Sequence, residues 1–178
     1  MGGGTVLVRK VELAVWTDVS GGFSGTEVPA AVVQSKDFLA KGNALSFWRF
    51  DPTTTTWQDD AILAVVGRWT RLDGVHLVYL DEAAFPSGVR LAPSPGDTCF
   101  EQLRSHHADA SKLDARRLAA VAECIAEHAR GGKNVITKNR EEVIDLLVTA
   151  TRDRRMIKVD HLPKALKDAV NERLSTAS

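Results

Sequence analysis

The sequence predicts a mixed α/β fold with a five-stranded sheet and a helical C-terminal extension. Three observations predict this class: apolar, β-prone runs dominate the first half of the chain, a short and largely apolar helical segment separates the third run from the fourth, and apolar residues at helical spacing dominate the last portion. The chain has 178 residues, of which 44% are hydrophobic, and this is enough for one sizeable core. We divide it into an α/β domain, residues 1–131, and a helical extension, residues 132–178.

The first three predicted strands form a meander. They cover residues 6–17, 28–34 and 44–50, and a glycine-containing turn at residues 21–26 connects the first two. Because this connection is short, we expect those two strands to pair in antiparallel orientation.

A strand–helix–strand unit follows the meander. The helix begins after Thr56, whose spacing to Asp59 is that of a capping box, and apolar residues follow at helical spacing. The fourth strand covers residues 75–80 and ends in Asp81. Because a crossover helix connects parallel strands, we expect the third and fourth strands to be parallel, with the helix on one face of the sheet.

A fifth strand at residues 88–92 completes the predicted sheet, and the rest of the chain is predicted to be helical. One helix begins at a cap formed by Ser111 and Asp114 and ends at the glycine pair 131–132. Two more amphipathic helices form the extension. Their apolar faces consist of Val143, Leu146, Leu147 and Ala150 in the first helix and of Leu162, Leu166, Val170 and Leu174 in the second.

Charge and cysteine content limit the function classes. The 23 basic residues balance the 23 acidic ones, so net charge does not attract the whole molecule to nucleic acid or to an anionic membrane. Only Cys99 and Cys124 are present, which favours a reducing compartment. Charged residues interrupt the first apolar run, so neither a signal peptide nor a membrane span is predicted there. We therefore expect a cytoplasmic protein that does not bind a membrane.

Acidic residues stand where the predicted elements would bring them together. Asp18 ends the first strand and Asp81 ends the fourth, so the two carboxylates share one edge if these strands are neighbours. Asp59 and Asp60 lie in the first turn of the crossover helix. Clustered carboxylates repel each other and stay ionised only with cations between them. Oxygen-only ligands select hard ions, so the sequence predicts Mg²⁺ or Mn²⁺.

The order of the elements and three motifs together resemble the ribonuclease H-like superfamily. The motifs are WTDVSG at residues 16–21, the threonine- and acid-containing segment 53–67, and VYLD at residues 78–81. The resemblance covers residues 6–125 and implies that the five-stranded sheet is ribonuclease H-like.

This resemblance implies a metal-dependent nuclease that hydrolyses RNA or an RNA–DNA hybrid. Two divalent ions about 4 Å apart would activate a water and stabilise the leaving oxygen. The acids implied for catalysis and metal binding are Asp18, Asp60 and Asp81, with Asp59 as the alternative helix acid and Asp109 or Asp114 as the fourth member. Ser20 and Gly21 are the implied contacts to the substrate backbone.

Simpler interpretations of the same residues stay open. Asp18 and Asp81 suit solvated turns, and acids such as Asp60 favour a helix N-terminus through its dipole. Asp114 suits a helix cap, and the helix has Asp where the family has Glu. The alternative function is therefore a non-catalytic α/β scaffold that binds a protein partner, or a second copy of itself, through its C-terminal helices.

Two further groups of residues receive structural interpretations. Cys124 and His128 lie one helical turn apart, but zinc sites usually have a second such pair, which the sequence lacks. The tryptophans are expected to fill the core. They are Trp16, Trp48, Trp57 and Trp69.

Overall fold

The computed structural model describes residues 4–12, 44–129 and 132–176. Within these ranges, six strands form one sheet with the order β4-β5-β2-β1-β3-β6, and every pair of neighbours is antiparallel. The strands are β1 Val6–Lys10, β2 Leu45–Phe50, β3 Val75–Asp81, β4 Arg90–Pro93, β5 His107–Ser111 and β6 Val135–Lys138.

Four α-helices accompany the sheet in the described part of the chain, so the fold is mixed α/β. They are α1 Trp57–Val66, α2 Ala115–Ala129, α3 Arg140–Arg152 and α4 Lys164–Thr176. Three short 3-10 turns connect elements at Glu82–Ala84, Glu101–His106 and Val159–His161. None of the described helices is both long enough and apolar enough to cross a membrane.

Side chains alternate along the strands between two apolar faces of the sheet. On the first, which we call the three-helix face, Val8 and Leu77 pack with α1, α3 and α4. On the second, the α2 face, Leu7 and Phe47 pack with α2. The sheet is therefore the middle one of three layers, and burial of both faces explains why its inner strand β3 is a nearly continuous apolar run.

The predicted five-stranded sheet is wrong in strand count and in strand order. The additional strands are β5 and β6, whose sequences are HADAS and VITK, in segments that were expected to be helical. β5 alternates polar residues with alanine over only five positions, and β6 has two apolar residues followed by two polar ones, so neither contains enough repeats for a strand period to be recognised. Their hydrogen-bonding partners β2, β3 and β4 stabilise them, and two of these partners, β2 and β3, are distant in sequence.

The predicted meander also differs from the observed pairing. β1 pairs directly with β2, which is the third predicted strand. The second predicted strand, residues 28–34, and the end of the first, residues 13–17, lie outside the described residues. β2 and β3 run parallel to each other as expected, but β1 lies between them and is antiparallel to both. The end of β3 therefore lies beside the beginning of β1.

The helical predictions are confirmed for all four helices. The first two correspond to α1 and α2, and the apolar face predicted for α3 is buried throughout. The capping box predicted from Thr56 and Asp59 is wrong, because the Thr56 side chain makes no capping hydrogen bond and its hydroxyl donates to Asp60 instead. In α4, Leu166 and Val170 are buried. The predicted division at residue 131 falls between α2 and β6, and both sides contribute to one sheet and to its core, because β6 pairs with β3 while α3 and α4 cover the three-helix face.

Candidate functional site

Asp60 lies in the first turn of α1 and forms an ion pair. Its Oδ1 accepts a hydrogen bond from Nη2 of Arg154 at 2.7 Å, and its Oδ2 accepts one from the hydroxyl of Thr56 at 2.9 Å. Only 16% of the Asp60 side chain and 27% of the Arg154 side chain are exposed. Because Arg154 follows α3, this pair connects α1 to the C-terminal part of the chain. The adjacent Asp59 is half-buried.

Asp81 stands at the end of β3, where the sequence predicts it. It is exposed, and its Oδ1 accepts a hydrogen bond from the backbone N–H of Ala83 at 2.9 Å, which caps the 3-10 turn Glu82–Ala84. In the β1–β3 register, Asp81 lies opposite Val6. It is therefore beside the first residue of β1 and not beside the last.

The two candidates for the fourth acid have different roles. Oδ1 of Asp109 on β5 accepts a hydrogen bond from the Ser46 hydroxyl at 3.0 Å. Asp114 is exposed, and its Oδ1 accepts a hydrogen bond from the backbone N–H of Arg117 at 2.8 Å. Asp114 therefore caps α2 directly, as a structural interpretation of this residue requires, whereas Ser111, the predicted cap residue, is the last residue of β5.

These acids do not form a metal centre among themselves. Within residues 4–12, 44–129 and 132–176, no three His, Cys, Asp or Glu side chains lie close enough together to hold a metal ion. Asp18, Ser20 and Gly21 lie outside the described residues. The Mg²⁺ or Mn²⁺ site that depends on Asp18 therefore stays a prediction.

A different group of residues forms a basic pocket at the end of β1. The pocket has a volume of about 370 Å³. It is lined by Lys10, Arg68, Trp69, Thr70, Arg71, Asp73 and Gly74. We call it the basic pocket because three of these side chains are cationic and one is anionic, so the lining is net positive.

The loop that forms the basic pocket begins where α1 ends. Gly67 caps α1 and packs closely against the segment that contains Thr98 and Phe100. A Cβ at this position would lie 2.2 Å from the hydroxyl oxygen of Thr98 and 2.9 Å from Cδ2 of Phe100, so only glycine fits. The N–H of Trp69 then donates to the carbonyl of Val66 at 2.8 Å, which turns the chain back towards the sheet. This turn leaves Arg68 exposed and packs part of the Trp69 indole against the core.

Lys10 and the loop arginines set the electrostatics of the basic pocket. The Lys10 ammonium lies 5.0 Å from the centroid of the Trp69 ring, a cation–π arrangement. Nε of Arg71 lies 3.2 Å from Oδ2 of Asp73, but these side chains are 84% and 59% exposed. Such an exposed ion pair is weak. The lining therefore presents three cations and only one loosely held carboxylate.

A row of polar side chains continues from the basic pocket across the three-helix face. Extending the β1–β2 register by two residues from the Val8–Trp48 pair places Lys10 beside Ser46, which lies opposite Asp109. We call Lys10, Ser46 and Asp109 the polar row.

His107 lies next to the polar row on β5. Its Nδ1 is 2.8 Å from the hydroxyl oxygen of Ser94, and Trp48 contacts its ring edge-on at 4.8 Å between centroids. Burial lowers the pKa of His107 below its ordinary value of 6.5, the carboxylate of Asp109 opposes this shift, and the positive charge of Arg68 adds to it. The imidazole is therefore mainly neutral at pH 7.

A second pocket, of about 580 Å³, lies beside α2 and contains Cys124 and His128. Burial raises the pKa of the Cys124 thiol to about 11, and the charge of Glu127 adds to the shift. The His128 Nδ1 is 2.7 Å from the Cys124 carbonyl oxygen, so that ring nitrogen donates to the backbone. A protonated thiol is a poor nucleophile and a poor metal ligand. This pair therefore lacks the chemistry of a Cys–His catalytic dyad.

The sequence did not lead us to the basic pocket. Arg68 and Arg71 flank Trp69 in the segment RWTR, which is a visible signal for an anion site. The interpretation of Trp69 as a core residue is correct only in part, because its side chain is half-buried. Lys10 belongs to a distant segment, and only the pairing of β1 with β3 and β2 brings it to this loop.

In comparisons with known proteins, no family model, no curated protein and no solved structure matches this chain. The fold alone defines the class of this protein: within the described residues it is a mixed α/β protein with an open, antiparallel six-stranded sheet and helices on both faces.

Proposed function

We propose that this protein is a non-catalytic nucleic-acid-binding module that holds backbone phosphates in the basic pocket. The observation that carries the proposal is the placement of Lys10, Arg68 and Arg71 around one open pocket beside an aromatic ring. Cations of this kind neutralise phosphates and release counterions from the nucleic acid, which drives binding without base recognition.

The charge distribution favours a modest affinity. The whole chain is neutral, so long-range attraction is small, and the binding free energy depends on a few local contacts. We therefore expect a dissociation constant in the range of nonspecific nucleic-acid binding, about 10⁻⁴–10⁻⁶ M at physiological salt.

The roles of the acids favour this proposal over the predicted nuclease. Asp60 is ion-paired with Arg154, while Asp81 and Asp114 bind backbone N–H groups. Each carboxylate thus has a partner that accounts for its position. The nuclease stays a prediction that requires Asp18, and cleavage of a labelled RNA–DNA hybrid in Mg²⁺ by the wild type, but not by Asp18→Asn, would establish it in place of the binding module.

A docking function of the C-terminal helices has less support. The apolar residues of α3 and α4 face the core of the three-helix face. Their outer surfaces carry charged pairs such as Arg173 with Asp145, whose closest nitrogen and oxygen atoms are 2.7 Å apart. Charged residues are depleted at the centres of protein interfaces, so such a surface is a poor docking site.

Fluorescence anisotropy with a labelled single-stranded oligonucleotide tests the proposal. We expect Lys10→Ala and Arg68→Ala each to weaken binding about fivefold at 0.1 M salt, since each removes one phosphate contact. The matched control is Arg116→Ala, because Arg116 is an exposed arginine in the first turn of α2, on the opposite face of the sheet. Absence of binding by the wild type, or equal losses in all three variants, would contradict the proposal.

A further inference from the structure

We infer that Trp69 is a stacking platform for an unpaired base, so that the ligand of the basic pocket is single-stranded nucleic acid. This inference rests on the proposed function, since it adds base recognition to a pocket that holds phosphates. The cations select only the phosphates of the ligand, and the stacking platform adds selection for an unpaired base.

The environment of Trp69 differs from that of a core tryptophan. The side chain is half-buried, with part of the indole packed against the core of the three-helix face. The same residue lines the basic pocket. One part of the ring is therefore fixed in place by packing while another part is open to a ligand, which is the arrangement that a stacking platform needs.

Lys10 covers the open ring in the unbound protein. Its ammonium lies 5.0 Å from the ring centroid, and the side chain is exposed at the end of β1. A lysine in such a position has several rotatable bonds and remains hydrated, so moving it away from the ring requires no change in the backbone. Lys10 is therefore a displaceable cover.

A nucleotide satisfies both groups at once. When Lys10 turns from the ring to a phosphate, it exchanges the ring for an anionic partner, and the ring face becomes available to a base. Stacking of a base on an aromatic side chain is stronger than an exposed cation–π contact. Exchanging the contact between Lys10 and the ring for these two contacts therefore favours a ligand in which a phosphate adjoins an unpaired base.

The arginines extend this arrangement along a strand. Arg68 and Arg71 stand on either side of Trp69 in the chain, and both are exposed. A base stacked on Trp69 would thus have cations available for the phosphates before and after it. Bases inside a duplex are stacked on their neighbours and cannot reach the ring, so double-stranded nucleic acid gains only the phosphate contacts.

The test compares three probes of equal phosphate number: a single-stranded oligonucleotide, its fully abasic analogue and a duplex. Anisotropy is measured with the full chain, its Trp69→Leu and Lys10→Met variants, and the control Trp57→Phe, whose ring contacts Tyr79 away from the pocket. Circular dichroism melts show whether each variant is folded. If Trp69→Leu does not fold, Trp69→Phe replaces it, and it is expected to bind the single strand more tightly than the abasic analogue.

We expect the single strand to bind about 5- to 100-fold more tightly than the abasic analogue. Trp69→Leu should reduce single-strand binding to the abasic level without changing abasic binding, whereas Lys10→Met should weaken both and Trp57→Phe neither. Equal binding of the single strand and the abasic analogue, with no effect of Trp69→Leu, would overturn the inference and leave the phosphate-binding function in place. Absence of binding to all three probes would overturn the proposed function and the inference with it.

Discussion

The carboxylate of Asp60 is held by two donors from different parts of the chain. One is the Arg154 guanidinium, which follows α3, and the other is the Thr56 hydroxyl at the start of α1. Both charged groups are mostly removed from solvent. Removing one partner therefore leaves the other charge without compensation in a poorly hydrated place.

We predict that Asp60→Asn lowers the free energy of unfolding by about 1–3 kcal/mol, the usual loss for a hydrogen bond to a charged group. Chemical denaturation followed by circular dichroism measures this change. Asp59→Asn is the matched control, and we expect it to change stability by less than about 0.5 kcal/mol. A loss in Asp60→Asn no larger than in the control would show that the ion pair with Arg154 does not stabilise the fold.

His107 gives the protein a pH-dependent contribution to stability. Burial lowers its pKa in the folded state, so below the unfolded value of 6.5 the unfolded chain binds a proton more readily than the folded protein does. The charged groups acting on the ring are Asp109, which opposes the shift, and Arg68, which adds to it. Stability is therefore retained above pH 6.5 and is lost as the pH falls towards the folded pKa.

We predict that His107→Gln removes this part of the pH dependence, because glutamine can still bond with the Ser94 hydroxyl but does not titrate. As the pH falls from about 7.5 to about 5, the unfolding free energy of the wild type should fall relative to that of the variant. Denaturant titrations at several pH values measure it. Parallel curves for the two proteins would contradict the assigned cause.

The sequence predicted helices better than strands, and the reason is physical. α2 to α4 each repeat the 3.6-residue apolar period over several turns, and α1 is a continuous apolar run after two acidic residues, so the signal of all four is local. β5 and β6 have five and four residues, and they become strands because β2, β3 and β4 provide hydrogen-bonding partners. A short stretch of sequence does not show which distant strand it will pair with, so such strands cannot be predicted from local pattern.

The candidate site was predicted less well than the helices for the same reason. The acids were selected by their positions at the ends of predicted elements, and this placed Asp81 correctly at the end of β3. The relative direction of β1 and β3 could not be predicted from local positions. The two strands are antiparallel, so the start of β1 lies beside Asp81. The contact between Lys10 and Trp69 depends on the same tertiary arrangement.

The start of α3 shows how a local sequence signal fixes an element. Asn139 accepts a hydrogen bond from the Glu142 N–H at 3.0 Å, and Glu142 accepts one from the Asn139 N–H at 2.9 Å. This reciprocal pair is a capping box. The backbone hydrogen bond lowers the pKa of Glu142, so the box stabilises the protein above the ordinary value of 4.5 and loses strength as the pH falls.

We predict that Asn139→Ala lowers the free energy of unfolding by about 1 kcal/mol, because a helix N–H loses its partner. The matched control is Asn171→Ala, the same substitution at an exposed position inside α4. Alanine is a better helix former than asparagine, so the control should be unchanged or slightly stabilised. Thermal and denaturant unfolding give both values. Equal effects of the two substitutions would show that the cap makes no net contribution.

At the scale of the whole molecule, charge is balanced in number but not in position. The basic and acidic residues cancel, and at the helix starts Asp114 and Glu142 bind backbone N–H groups while Asp60 is ion-paired. The basic pocket instead gathers Lys10, Arg68 and Arg71 at one end of β1. A neutral protein can therefore bind a polyanion, provided that the contacts are local and few.

The salt dependence of oligonucleotide binding tests this claim most directly. For a single-stranded ligand, log K falls with log salt by about 0.7 for each phosphate contact, and the wild type should show a slope of about −1.4 to −2.1 for two to three contacts. Lys10→Ala or Arg68→Ala should reduce the magnitude of the slope by about 0.7, while Arg116→Ala leaves it unchanged. A slope near zero, or slopes that do not differ between the pocket variants and the control, would contradict phosphate binding in the basic pocket.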